Sequence, residues 1–327
     1  MGHNEMYEAA LKPPRTKLGQ LLYSAWVFLG LAALVLLAWA EPFSARLFDH
    51  LLAGGVFPPL IKFVAVPAVM ILRAVLLVES IGYAYHRFFQ HVGVFTRLSI
   101  IFRKNQKFHW IHHMIIYPIG KMYRRRVAYV SSEKGVGWSW VLPGIIVAVL
   151  FTLTNGINMG TLVFIAALGL YAKYVVDLTH SRFHEINHPW AESNYFHWLE
   201  DIHVLHHWDQ RKNFTIVHPL MDVLFGTYLS PAAHQQELRV ALEDHELTVS
   251  DLINWRYLLV EATPVERAAF VSNARRVPRS IRKIGLLLKV LRDRVATHPE
   301  DAHARDLFGK AQALLMEVGK DPQQFLS

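Results

Sequence analysis

Ten of the chain's 19 histidines fall into four groups: His86 and His91; His109, His112 and His113; His180 and His184; and His203, His206 and His207. Positions i, i+3 and i+4 share one face of a helix, so each H-x-x-H-H group offers three imidazoles to one point and the H-x-x-x-H pair offers two. His86 and His91 are five apart, which a regular helix does not align; the helix either ends there or contains a π-bulge. Neutral imidazole suits iron, zinc, copper and nickel. Ten rings exceed what one ion can take, whereas two ions would each receive about five and keep a position open for a small molecule. Asp177, one turn before His180, and Asp201 or Asp209, beside the last group, are candidate carboxylates for orienting ligand N–H groups. The plainer alternative for these acids is a solvated or capping role.

A competing motif overlaps the third group. His184–Glu185–Ile186–Asn187–His188 satisfies H-E-x-x-H, in which two histidines bind zinc and the glutamate is general base. It leaves nine of the ten grouped histidines without a role, and Pro189 would end a helix just after it. His188 is a candidate additional ligand, or a residue that orients one. The chain has no cysteine, which excludes disulfides, thiolate metal sites, iron–sulfur clusters and a cysteine nucleophile.

These groups need elements to position them, and the composition indicates a membrane. Of the 327 residues 53% are hydrophobic and 18% charged, opposite departures from the soluble average. Leu21 to Ala40 is an uncharged run long enough to cross a ~30 Å hydrocarbon core. A second run, about Val56 to Tyr85, contains Lys62, Arg73 and Glu79, which must snorkel or face protein. Runs from Trp138 to Leu153 and Met159 to Val176 are joined by an uncharged turn, Thr154 to Asn158, as in a helical hairpin. The expected fold is all-α, with about four transmembrane helices and a cytosolic helical cap that carries the His-rich di-metal site. Residues 1–20 read as a cytosolic tail, 21–230 as the membrane domain and 231–327 as a cytosolic helical region. The segment 86–137 holds ten Lys and Arg against Glu133 alone, which places it and both termini in the cytoplasm.

The net charge of +8 on a hydrophobic chain suits anionic lipid headgroups and argues against nucleic acid as the partner. Arg275, Arg276, Arg279, Arg282, Lys283, Lys289 and Arg292 alternate with Val277, Ile281, Ile284, Leu287, Leu288 and Leu291. That pattern is a basic amphipathic helix, either lying on a membrane or packed on its own domain. Asp301 to Leu326 reads as one more amphipathic helix.

The residues His86–Arg87 through His91, Phe108–His109 through His113, Asp177 through His184 and His203 through His207 resemble the fatty acid hydroxylase/sterol desaturase superfamily of membrane di-iron enzymes. Asn213–Phe214 and Asp222 through Thr227 are similar to the segment that closes that family's domain. The resemblance covers about residues 56–230. It implies that the ten grouped histidines ligate two iron ions that activate O2, with zinc able to replace iron in purified protein. The glutamate and His-Pro pair often found between the family's second and third groups have no clear counterpart here.

The expected activity is hydroxylation or desaturation of a membrane lipid, such as a fatty acyl chain, a sterol or a polar-lipid headgroup, entering from the bilayer. Oxygen insertion into an unactivated C–H bond needs a redox metal. The sequence shows no nucleotide or haem domain, so the electrons are expected from a separate carrier of the cytochrome b5 or ferredoxin type. Arg124 to Arg126 or the basic C-terminal helix could dock an acidic carrier or bind lipid. The alternatives are an intramembrane zinc protease and a metal transporter or sensor; the transporter would want polar ligands within the spans. The C-terminus Gln323 to Ser327 has no K-D-E-L-type retrieval signal, which favours a bacterial inner membrane over the endoplasmic reticulum.

Overall fold

The computed structural model describes residues 59–92, 100–117, 144–185, 188–232, 247–274 and 277–326, together with 29–30 and 32–33. Of the expected first span, Leu21 to Ala40, all but those four positions lies outside the described residues, as does the Arg124 to Arg126 cluster. The described residues are helical, without a strand. They fall into two compact units: Met1–Trp110 with Val130–His180 and Phe214–Tyr228, and Ile111–Tyr129 with Ser181–Asn213 and Leu229–Ser327.

In the first unit α1 spans Pro59–Ala84 and continues as a π-helix over Tyr85–His91. Helix α2 covers Ile100–Ile111; the π-helical segment that follows, His112–Ile116, belongs to the second unit. Helix α3 (Gly144–Asn155) turns at Gly156, whose φ of 71° suits a residue without Cβ. Helix α4 (Met159–Leu170) starts with Asn158 accepting from the Thr161 amide at 2.9 Å, which satisfies one free donor of the first turn. It runs on through a π-helix, Tyr171–Asp177, into the short α5, Leu178–Arg182.

Two of these continuous helices, Val64–His91 and Met159–Arg182, are long and apolar enough to cross a membrane, and Gly144–Asn155 is a shorter apolar helix. The expectation of about four spans is thus met by two among the described residues. Ala74, Leu77, Val147, Phe151, Phe164 and Leu168 form the core between α1, α3 and α4. Two of the charges within α1 face protein: Arg73 lies over the Phe151 ring, and Glu79 accepts from the Tyr171 hydroxyl at 2.6 Å. Leu72, Leu153 and Leu170, in contrast, stay exposed.

The second unit holds α6 (Asn194–Trp208), α8 (Val249–Arg256), α9 (Pro264–Ala274), α10 (Pro278–Thr297) and α11 (Ala302–Glu317); the short α7, Leu220–Leu224, belongs to the first. Ser193 caps α6 and a Thr248–Asp251 capping box starts α8. The apolar stripe of α10, Ile281, Ile284, Leu287, Leu288 and Leu291, packs with Leu258, Phe270, Ala311, Leu314 and Leu315. Of the two readings of this basic amphipathic helix, the packed one holds for its apolar face.

Candidate metal centre

In the first unit the π-helix aligns the pair that a regular helix would separate. His86 Nε2 lies 3.2 Å from His91 Nε2 and 3.0 Å from His109 Nε2, and the latter two are 2.8 Å apart. His86 Nδ1 lies 2.5 Å from the Phe214 carbonyl oxygen. A carbonyl only accepts, so Nδ1 carries the proton and Nε2 presents its lone pair to the other two rings.

For metal–nitrogen bonds of about 2.1 Å, donors at right angles lie about 3.0 Å apart and donors at the tetrahedral angle about 3.4 Å. The observed triangle is closer to the first. The donor set therefore fits one face of a six-coordinate ion, with positions left for other ligands.

The second unit repeats the device. His203 Nε2 is 3.1 Å from His184 Nε2 and 3.2 Å from His207 Nε2. Ligand atoms of His112, His184 and His203 lie within 4.8 Å of one another, as do those of His112, His113 and His207. The His113 and His206 rings are 4.8 Å apart. His207 Nδ1 donates to the Tyr117 carbonyl at 2.9 Å and His206 Nδ1 to the Lys212 carbonyl at 2.6 Å, so both present Nε2. These imidazoles are buried.

His180 and His184 lie on different elements. Helix α5 stops at Arg182 and His184 sits in the turn that follows. In the first unit His180 lines a small cavity with His86 and His109, whose remaining wall is Val78, Gln90, Ala172, Val176, Asp177 and Ile216.

That helix end also leaves His184 and Glu185 of H-E-x-x-H outside a helix, with His188 Nε2 3.8 Å from Glu185 Oε2. Glu185 is held by Arg182 at 2.5 Å, and His188 accepts from the Trp190 amide at 3.2 Å as the cap of a 3-10 turn, Pro189–Glu192. Among the described residues, His184, Glu185 and His188 do not lie on one helix, as the zinc-protease arrangement requires.

The candidate carboxylates have other partners. Asp177 pairs with Lys173 and borders the cavity. Asp201 is buried and accepts from the Thr248 hydroxyl at 2.8 Å. Asp209 follows α6 and pairs with Arg211, which holds its carboxyl below the usual range despite partial burial. For the three ring N–H groups described above, main-chain carbonyls fill the orienting role expected of acids.

Asp222 is a residue that spacing did not single out. It is fully buried and accepts from the Phe214 and Thr215 amides at 2.8 Å each and from the Thr215 and Thr227 hydroxyls. Burial pushes its carboxyl up while these four bonds pull against that shift. Thr227 also bonds the Tyr83 hydroxyl, 3.1 Å away on α1. Asp222 thus fixes the loop whose Phe214 carbonyl orients His86. Its only signal in the sequence was its place in the stretch resembling the end of the family's domain.

Comparison with family models, curated proteins and solved structures finds no match for this chain.

Proposed function

We propose that this chain is a membrane-embedded, O2-dependent di-iron oxygenase that hydroxylates or desaturates a lipid. The observation that supports it best is the triangle of imidazole nitrogens in the first unit, spaced for right-angled coordination beside a cavity with an apolar wall. On this reading one ion is held by His86, His91 and His109, and a second by histidines of the other unit. When bound, the irons supply the redox chemistry of O2 activation, with two electrons from a separate carrier.

The chain's own residues prepare that chemistry. The Phe214, Tyr117 and Lys212 carbonyls hold protons on Nδ1 and keep the Nε2 lone pairs of His86, His207 and His206 available. Val78, Ala172, Val176 and Ile216 exclude water and suit a hydrocarbon. Val78 comes from α1 and Ala172 and Val176 from the continuation of α4, so a lipid chain would enter from the bilayer between those two helices.

The test is metal content by mass spectrometry on protein grown with iron and purified in mild detergent. About two metals per chain, falling sharply in His112→Ala, are expected. Lipids of expressing cells should contain an oxidised product that is missing from cells with the variant. A single zinc that survives His112→Ala and is lost in His184→Ala would overturn the reading.

A further inference from the structure

Helix α2 has two contrasting faces. Its inner face carries Asn105 and His109, both buried; Gln90 donates to Asn105 at 3.2 Å, and Phe102 packs 5.0 Å from Phe89. Its outer face exposes Ile100, Ile101 and Trp110 by 64%, 57% and 55%, with Arg103, Lys104 and Lys107 exposed among them. No acidic residue lies between Ile100 and Ile111.

Scattered exposed apolar residues are ordinary. Here Ile100 shares one helix face with Arg103, Lys104 and Lys107, and Ile101 and Trp110 flank that face at its two edges. Tryptophan favours the membrane–water boundary, and lysine and arginine lay their stems on apolar surface while their charged heads reach outward. An acidic protein would meet the cations but leave the interleaved isoleucines poorly matched. An anionic lipid surface matches both.

We propose that the outer face of α2 docks on the headgroup layer of anionic phospholipid, its cations on phosphates and its isoleucines and Trp110 at the acyl boundary. The inference rests on the membrane reading above. Because His109 projects from the opposite face, the helix seated on the lipid is also the one that carries a ligand of the triangle.

The chain has no native cysteine, so one introduced cysteine carries a nitroxide at a single known position. In nanodiscs of phosphatidylcholine with phosphatidylglycerol, a label on Ile101→Cys is expected to be relaxed by O2 in preference to a water-soluble nickel chelate. That preference should fall several-fold in phosphatidylcholine alone and in Arg103→Gln/Lys104→Gln/Lys107→Gln, since each basic residue near a charged surface contributes about fivefold. A label on Leu72→Cys, on the exposed side of α1, should be shielded from nickel in both lipids.

A shielded Leu72 label with an Ile101 label open to nickel would overturn the docking of α2 and leave the spans intact. An open Leu72 label would overturn the membrane reading itself. Equal shielding of Ile101 with and without phosphatidylglycerol would overturn the anionic assignment. Shielding that appears only when an acidic ferredoxin is added would reassign the face to a protein partner.

Discussion

At the residue scale, the loop from Asn213 to Thr227 depends on one carboxylate. Asp222→Asn keeps the shape but turns an amide N–H toward donors that now meet an acceptor. A buried donor left unsatisfied costs about 1–3 kcal/mol, and loss of the groups that orient a metal ligand typically weakens binding about 10–100-fold. The variant is therefore expected to fold less stably and to hold metal about tenfold more weakly in competition with a chelator; unchanged affinity would remove Asp222 from the positioning of His86. The histidines themselves were legible because ligand spacing is a property of side chains. The groups that orient them were not, because Phe214, Tyr117 and Lys212 act through their carbonyls, which every residue has. Asp177, Asp201 and Asp209 were attractive candidates by proximity in sequence, yet the chain gives Asp201 to Thr248 and Asp209 to Arg211.

At the scale of the element, α6 serves two environments. One face carries His203, His206 and His207; another carries His197, Glu200 and Asp201, which meet Thr248, Asp251 and Lys283 of the C-terminal helices. Lys283 and Asp251 are both buried and 2.7 Å apart. Removing one partner of a buried pair costs about 3–5 kcal/mol, so Lys283→Met should lower the thermal midpoint by many degrees, whereas Lys310→Met, whose partner Asp306 is exposed, should have little effect. Burial alone would lower the His197 pKa, but the bond to Glu200 and the nearby Asp201, Glu200 and Asp251 outweigh it and push it up to about 9. A raised pKa stabilises the fold fully below the ordinary value of 6.5 and loses that contribution as pH rises through about 9. A melting series should therefore fall in that window and flatten in His197→Gln. The sequence period of α10 identified its apolar face, but a period does not say whether lipid or protein covers it; that depended on α8, α9 and α11, which are distant in sequence.

At the scale of the whole molecule, the proposed ions link segments far apart in the chain. Metal bound only by the folded state stabilises it by about 2.7 kcal/mol per site at a hundredfold excess over Kd. Stripping with a chelator should lower the thermal midpoint of the full chain, and restoring iron should recover it; a midpoint indifferent to both would mean that the histidines hold no ion. The all-helical architecture and the two long apolar helices were legible from hydropathy, because a membrane span is a matter of length and charge. Where those helices end was not. Both run beyond the expected limits of Tyr85 and Val176, as far as His91 and Arg182, because π-helical segments carry polar residues and histidines inside a continuous helix.

The π-helix Tyr85–His91 has a consequence for how such a site can change. Ordinary helices align residues four apart, so removing Phe88 or Phe89 would leave the two histidines aligned on a plain α-helix, while the chain that follows would be turned by one position. Substitution cannot produce that rearrangement. The site can keep its ligand pair while the direction in which the next segment leaves is altered by gaining or losing a single codon.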